Sequence, residues 1–223
     1  MNTPTKITMA RIASIIIMIV TLFALYIVYR FNHWQTIEIP TTGINLVFLI
    51  IFVFFLIASY TDHLDGYLAR KNNQVTDLGK FLDPVADKLL INSMIIFLVA
   101  PGITAKYATG QISSFSVWCA IIFIARDIVV DALRSIAAQK GVVIAANIFG
   151  KLKTVLQMVA ISAVLLNDFP FHYMYPNNTN QYLTVTAFLI YLATLVSFLS
   201  GLIYVIQNKH AFLPEKKNDS GSN

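Results

Sequence analysis

Six apolar runs separated by polar segments divide this chain of 223 residues. A helix of about 20 predominantly apolar residues is long enough to cross a bilayer. Two of the runs are shorter, because polar residues occupy one end of each, as expected where helix ends line a cavity. The runs are Thr8–Tyr29, Ile44–Tyr60, Leu89–Val99 with its flanks, Phe115–Ile136, Val155–Leu166 with its flanks, and Leu183–Ile206. The pattern predicts an all-α polytopic membrane protein with six transmembrane helices.

The composition agrees with this prediction. Hydrophobic residues make up 57% of the chain and charged residues 12%, whereas a soluble globular domain has about 25% charged residues. The single cysteine, Cys119, excludes an intrachain disulfide framework. We expect one catalytic domain over residues 1–213, followed by a polar, disordered cytoplasmic tail over residues 214–223.

The positive charge is unevenly distributed along the chain. If the N-terminus is cytoplasmic, the external loops contain only Arg30 and Lys106 among the 16 lysines and arginines. The positive-inside rule therefore predicts a multi-pass protein of the cell membrane with both termini in the cytoplasm. Basic residues at the ends of membrane helices favour contact with anionic lipids rather than with nucleic acid, despite the formal charge of +5.

Four aspartates lie at the cytoplasmic ends of the second and third runs. Asp62 and Asp65 are three residues apart, and Asp83 and Asp87 are four apart, so each pair shares one helix face. An aspartate near a bilayer centre costs about 2.5–3.5 kcal/mol, so the cluster needs a neutralising partner. Carboxylates without histidine or cysteine favour a hard cation such as Mg²⁺ or Mn²⁺. The alternative is a solvated loop whose aspartates cap helices. A cap needs only one carboxylate per helix start, however, and would not explain two pairs on helix faces.

The segment around these aspartates resembles the signature of a known family. Gly66 and Ala69 lie on the same arc as the first aspartate pair and leave a shallow surface that a bulky ligand could approach. The full spacing is Asp-x2-Asp-Gly-x2-Ala-Arg-x8-Gly-x3-Asp-x3-Asp, from Asp62 to Asp87. This pattern is similar to that of the CDP-alcohol phosphotransferases, integral membrane enzymes that make phospholipids.

The resemblance implies a fold, a cofactor and roles for particular residues. It implies the CDP-alcohol phosphotransferase fold, usually as a homodimer, with two ions, Mg²⁺ or Mn²⁺, held by the four aspartates. Asp87 would also be the catalytic base that accepts the proton of the acceptor hydroxyl. The implied donor-binding residues are Asp62, Gly66, Ala69, Arg70 and Gly79.

A second group of charged residues lies in the fourth and fifth runs. Arg126 and Arg134 are eight residues apart and so lie on nearly the same helix face, and Lys151 and Lys153 open the fifth run. An arginine inside an apolar run needs an anion, and arginine binds phosphate through two hydrogen bonds. The alternative is anchoring by the positive-inside rule together with Asp–Arg pairs within the helix.

This second group resembles the branch of the family whose bacterial members make phosphatidylglycerophosphate. That branch implies CDP-diacylglycerol as donor and glycerol 3-phosphate as acceptor, with Arg126, Arg134, Lys151 and Lys153 as the ligands of the acceptor phosphate. The motif offers no convincing protein nucleophile, which favours direct in-line attack by the acceptor hydroxyl. Inositol phosphate or serine as acceptor remains an alternative. A divalent-cation or phosphate transporter is another, although the external halves of the runs are apolar.

Overall fold

The computed structural model describes residues 3–31, 39, 44–71, 77–100, 115–141, 148–174 and 184–208. Within these ranges, the side chains of residues 3–8, 11, 29–31, 62–71, 77–81, 83 and 172 lie outside the description. The predicted tail over residues 214–223 also lies outside the described residues.

Six α-helices make up most of the described chain, which contains no β-strand. The helices are α1 (Thr3–Phe31), α2 (Leu46–Lys71), α3 (Asp77–Val99), α4 (Val117–Gln139), α5 (Ile148–Leu165) and α6 (Val185–Gln207). Each of the six apolar runs corresponds to one helix, so the all-α prediction is confirmed. Helices α3 and α5 begin at Asp77 and Ile148, well before their apolar runs. The polar residues of the predicted site in these segments are therefore helical.

The helices form two groups that meet in one apolar core. Helix α1 packs against α2 and α3, and α6 packs against α4 and α5, while α2 and α3 contact α5, and α3 contacts α4. Phe55, Met94 and Phe123 are fully buried where the groups meet. The rings of Phe48 and Phe97 pack edge to face with centroids 6.3 Å apart and hold α2 against α3.

The outer surface of the bundle is apolar over much of its length. Large hydrophobic side chains such as Phe23, Phe54 and Phe188 are exposed. Helices α5 and α6 are long and apolar enough to cross a bilayer, and α1 and α2 contain shorter apolar stretches. Soluble proteins rarely expose extensive apolar surface. These features indicate a membrane protein.

A buried aspartate stabilises the turn that leads from α5 to α6. Asn167 and Asp168 adopt left-handed backbone conformations, with φ of 55° and 59°, which these residue types tolerate better than most. Asp168 accepts hydrogen bonds from the backbone N–H of Thr186, at 2.9 Å, and from its hydroxyl. Thr184 caps α6 by accepting a 3.0 Å bond from the N–H of Ala187. The first turn of α6 thus finds acceptors for N–H groups that have no partner within the helix.

Candidate active site

A cavity of about 410 Å³ lies where α3, α4 and α5 meet. Its charged lining comes from the middle of α3, the middle and second half of α4, and the first turns of α5. The lining residues are Asp87, Lys88, Ile91, Arg126, Asp127, Val130, Asp131, Arg134, Gly150, Lys151, Lys153, Thr154 and Val155. Polar groups gathered in a cavity of this size are typical of a site for a small ligand.

The cavity brings together five of the residues that the sequence analysis selected. They are Asp87, Arg126, Arg134, Lys151 and Lys153. The others lie in α2 and in the first turns of α3, where the backbone is helical but the side chains are outside the description. These are Asp62, Asp65, Gly66, Ala69, Arg70, Gly79 and Asp83. Their predicted roles in metal and donor binding stay predictions.

Asp127 is the centre of a buried ion cluster on the wall of this cavity. The residue is 8% exposed. Lys153 Nζ donates to both carboxylate oxygens at 2.8 Å, and Arg126 Nη1 donates to Oδ1 at 3.1 Å. Each bond is charge-assisted, and two cations share one buried carboxylate. Arg126 and Lys153 are therefore held together across α4 and α5 by a single side chain.

Helix α6 holds both arginines from behind the cavity, although it contributes no lining residue. Arg126 Nη2 donates a 2.7 Å hydrogen bond to Ser200 Oγ. Arg134 Nε donates at 2.9 Å to the hydroxyl of Tyr204, and the guanidinium carbon lies 5.4 Å from the centre of that ring. A Cβ added at Gly201 would lie 2.9 Å from Arg126 Cγ. Glycine thus allows α6 to approach α4 closely at this point.

The remaining charges of the cavity differ in how they are paired. Lys88 of α3 forms an ion pair with Asp131 of α4, and both side chains are partly exposed. Arg126 and Asp127 form an ion pair within α4, as the alternative interpretation of the sequence predicted. Asp131, in contrast, forms its ion pair with a residue of α3. Lys151 is exposed and has no hydrogen bond or ion pair to another described residue.

Ser200 and Tyr204 were not predicted from the sequence, nor was the role of Asp127 as a shared partner of two cations. A signal for α6 was present: Ser197, Ser200, Gly201 and Tyr204 recur every three or four residues in an otherwise apolar helix. Small and polar residues in such helices usually face a neighbouring helix. That signal identifies the packed face of α6 but not its partners.

The predicted metal ligands form an all-oxygen donor set, which suits a hard divalent cation. Asp87 contributes one carboxylate to the cavity. No group of three or more histidine, cysteine, aspartate or glutamate side chains with metal-binding geometry occurs among the described residues. The side chains of three of the four predicted ligands, Asp62, Asp65 and Asp83, lie outside the description. The chemistry of the donor set therefore fits the predicted ions.

Several curated bacterial proteins are similar to this chain, and three of them share the name CDP-diacylglycerol–glycerol-3-phosphate 3-phosphatidyltransferase. The protein of Bacillus subtilis is 42% identical over 170 residues, which cover 76% of this chain and 79% of that protein. The protein of Mycoplasma genitalium is 39% identical over 155 residues, 69% of this chain and 61% of that protein. The protein of Rickettsia bellii is 35% identical over 167 residues, 75% and 76% of the two chains.

The match to a protein family covers most of the chain. Residues 1–199 match the family described as CDP-alcohol phosphatidyltransferase. This range contains the complete aspartate motif from Asp62 to Asp87 and every described lining residue of the cavity. The resemblance seen in the sequence is thereby confirmed, and the chain belongs to the CDP-alcohol phosphatidyltransferase family.

Proposed function

We propose that this protein transfers the phosphatidyl group of CDP-diacylglycerol to sn-glycerol 3-phosphate, producing phosphatidylglycerophosphate and CMP in phospholipid biosynthesis. The family and the shared name of the relatives support this reaction. The observation that carries the proposal is the charge of the cavity beside Asp87. That charge suits an acceptor that has a phosphate group.

The side chains that line the cavity in the described part of the chain have a formal charge of +2. They include five cationic and three carboxylate side chains. Alkyl phosphates have a second pKa of about 6 and are largely dianionic at neutral pH. A bound phosphate monoester would therefore balance the charge of the cavity. An uncharged or zwitterionic acceptor such as glycerol or serine would leave the excess positive charge uncompensated. Inositol phosphate meets the same charge requirement and remains the alternative acceptor.

Divalent metals are generally required in this family. In this chain we assign two ions, Mg²⁺ or Mn²⁺, to Asp62, Asp65, Asp83 and Asp87, on the basis of their spacing and their carboxylate chemistry. When bound, such ions neutralise charge on the pyrophosphate and on the leaving CMP. For the donor we assign Asp62, Gly66, Ala69, Arg70 and Gly79, because these residues fill the family motif.

The chain's own residues suffice to orient the acceptor and remove its proton. Arg126, Arg134, Lys151 and Lys153 hold the phosphate of the acceptor, and Asp87 accepts the proton of its attacking hydroxyl. The acceptor oxygen then forms a bond to the phosphorus of the phosphatidyl group, and the bond from that phosphorus to the bridging oxygen breaks, releasing CMP. Holding both reactants in position supplies much of the rate enhancement.

The cavity lining supports direct transfer without a covalent intermediate. It contains no serine, cysteine or histidine among the described residues. The one hydroxyl among the described lining residues, that of Thr154, donates a 3.2 Å hydrogen bond to the carbonyl of Gly150 in the preceding turn of α5. Asp87 is the assigned base, and the other two carboxylates of the described lining, Asp127 and Asp131, are held in ion pairs. We therefore assign the attack to the acceptor hydroxyl.

The wider arrangement is also part of the proposal. We assign six transmembrane spans to the six helices, one domain to residues 1–213, and a cytoplasmic location to the cavity and to both termini. The predominance of lysine and arginine at the cavity end supports this orientation. CMP and glycerol 3-phosphate are water-soluble, so a cytoplasmic opening suits them. The assembly that we assign is a homodimer surrounded by membrane lipids, on the basis of the family.

Purified full-length protein with CDP-diacylglycerol and Mg²⁺ provides the test. Glycerol 3-phosphate, inositol phosphate, serine and glycerol are offered separately, and the release of CMP is measured. Glycerol is the matched control because it has the hydroxyls of the expected acceptor but no phosphate. We expect turnover with glycerol 3-phosphate alone, its loss with a chelator, and its return with Mg²⁺ or Mn²⁺. Full activity in chelator, or equal turnover of glycerol, would contradict the proposal.

A further inference from the structure

Helix α6 lies outside the cavity but contacts two of its cations. We propose that Ser200, Gly201 and Tyr204 are positioning residues, which hold Arg126 and Arg134 so that their free N–H groups face the phosphate of the acceptor. This inference rests on the proposed function and extends it to a helix segment that the aspartate motif does not contain. The three residues also lie beyond residue 199, where the family match ends.

The guanidinium of Arg126 is held at both of its terminal nitrogens. Nη1 donates to Asp127 and Nη2 donates to Ser200 Oγ, at 3.1 and 2.7 Å. A guanidinium has five N–H donors, so these two bonds leave others for a ligand. Ser200 is buried, with 2% of its surface exposed. Its hydroxyl therefore cannot easily exchange this bond for one with bulk water, and Arg126 stays in one orientation.

Gly201 determines how closely α6 approaches the stem of Arg126. A Cβ at this position would lie 2.9 Å from Cγ of the arginine, closer than real contacts allow. Gly150, which belongs to α5, offers a comparison, because its Cβ would lie 3.6 Å from Arg126 Nη2, an ordinary contact distance. Arg126 thus lies between two glycines, and of these two only Gly201 is too close to its side chain to accommodate a Cβ. A methyl group at position 201 would displace the arginine stem or the helix.

Arg134 is held by a second contact one turn further along α6. Tyr204 is buried, and its hydroxyl accepts the 2.9 Å bond from Nε of Arg134. The ring of Tyr204 also attracts the guanidinium, whose carbon is 5.4 Å from the ring centre. The two terminal nitrogens of Arg134 have no hydrogen-bond partner among the described residues. They form the planar pair of donors that binds a phosphate through two hydrogen bonds.

Neutral partners orient the arginines without reducing the charge of the site. Aspartate or glutamate at positions 200 and 204 could hold the same guanidinium groups, but would cancel the formal charge of +2 that the described lining residues provide. Serine and tyrosine accept hydrogen bonds and add no charge. The site therefore combines fixed arginines with a net positive charge, as the binding of a phosphate dianion requires.

Steady-state kinetics of Ser200→Ala and Tyr204→Phe test the proposal, with glycerol 3-phosphate and CDP-diacylglycerol varied separately. Each change removes one acceptor of an arginine bond and adds no bulk. We expect the KM for glycerol 3-phosphate to rise about tenfold, since a hydrogen bond to a charged group is lost. The KM for CDP-diacylglycerol and kcat should stay within about twofold. Ser200→Thr, which keeps the hydroxyl, should restore the acceptor KM.

Thr194→Val provides a matched control on the same helix. The hydroxyl of Thr194 is also buried, but it donates to the carbonyl of Ile190 in its own helix, at 2.7 Å. Its loss should leave both KM values unchanged. Gly201→Ala should raise the acceptor KM at least as much as Ser200→Ala. If that variant does not fold, the substitutions Ser200→Ala and Tyr204→Phe still test the proposal.

The outcomes separate this inference from the proposed reaction. If the wild-type protein does not turn over glycerol 3-phosphate, the proposed function is wrong, and this inference is wrong with it. If the wild-type protein is active but Ser200→Ala and Tyr204→Phe leave the acceptor KM unchanged, only the role of α6 is wrong. Equal changes in both KM values and kcat, without rescue by Ser200→Thr, would indicate a general packing role and would also overturn the inference.

Discussion

Asp127 and Asp168 are both buried, with 8% and 3% of their surfaces exposed, yet their partners differ in kind. Asp127 contacts two cations, Lys153 and Arg126, on the wall of a cavity. Asp168 accepts hydrogen bonds from the N–H and hydroxyl of Thr186 at the start of α6. The burial of a carboxylate alone therefore does not indicate a ligand site. Cations beside a cavity indicate one, whereas the N–H groups of a helix start indicate a structural cap.

The two regions should also differ in what their loss costs. Removing one member of a buried ion pair leaves a buried charge without its partner and costs about 3–5 kcal/mol. Removing a helix cap costs about 0.5–2 kcal/mol. Changes near the cavity should alter kinetic constants, and changes at the α5–α6 turn should alter stability alone. The following variants test this difference, starting from the largest expected effect.

Asp87→Asn should give the largest effect on the reaction. The change keeps the shape of the side chain but removes the proposed proton acceptor, so kcat should fall by about 10²- to 10⁴-fold. CDP-diacylglycerol should still bind within about tenfold, which equilibrium binding of the donor would measure. In the wild-type protein, labelled CMP should not exchange into CDP-diacylglycerol without acceptor. A near-normal kcat in the variant would assign the base to another group, and rapid exchange would indicate a covalent intermediate.

Asp127→Asn should combine a kinetic and a structural defect. Lys153 would remain buried without a carboxylate, so the protein should lose about 3–5 kcal/mol of stability, measured as a lower Tm in detergent. The acceptor KM should rise as well, because Arg126 loses one of its two anchors. Asp127→Glu keeps the charge and is the matched control. If Asn and Glu have equal effects, the charge of Asp127 is not what holds the cluster.

Lys151→Ala should affect the acceptor without affecting the fold. The side chain is exposed and has no described partner, so Tm should not change. Loss of one charge-assisted contact costs about 1.5–3 kcal/mol, which corresponds to a roughly 10- to 150-fold rise in the acceptor KM. Lys140→Ala is the control, because this exposed lysine follows α4 and does not line the cavity. A shift in the donor KM instead would assign Lys151 to the nucleotide.

Asp168→Ala should have the smallest effect, confined to stability. The start of α6 would lose the acceptor of the Thr186 N–H group, at a cost of about 0.5–2 kcal/mol. The two KM values and kcat per folded molecule should equal those of the wild-type protein. A changed acceptor KM at unchanged Tm would mean that the α5–α6 turn and the cavity are coupled, and the contrast between the two aspartates would be wrong.

Much of the fold followed from local features of the chain. Each apolar run is long enough to favour one helix, and each of the six runs corresponds to a helix in the structure. The shared helix faces of the four motif aspartates follow from their spacing and the helical period alone. That spacing could be compared directly with a family motif. The four are Asp62, Asp65, Asp83 and Asp87. The four basic residues were selected for a similar reason, because arginine and lysine near apolar runs require anions.

The sequence by itself therefore determined the helices, the family and the residue types of the site, because these depend on neighbours along the chain. Only the tertiary structure decided which side chains are partners, as in the bonds of Asp127 with Lys153 and of Arg126 with Ser200. Such pairs depend on the rotation and crossing of separate helices. In α6 the small and polar residues identify the packed face, but they do not specify which side chains of other helices that face contacts. Packing against α4 and α5 specifies those partners.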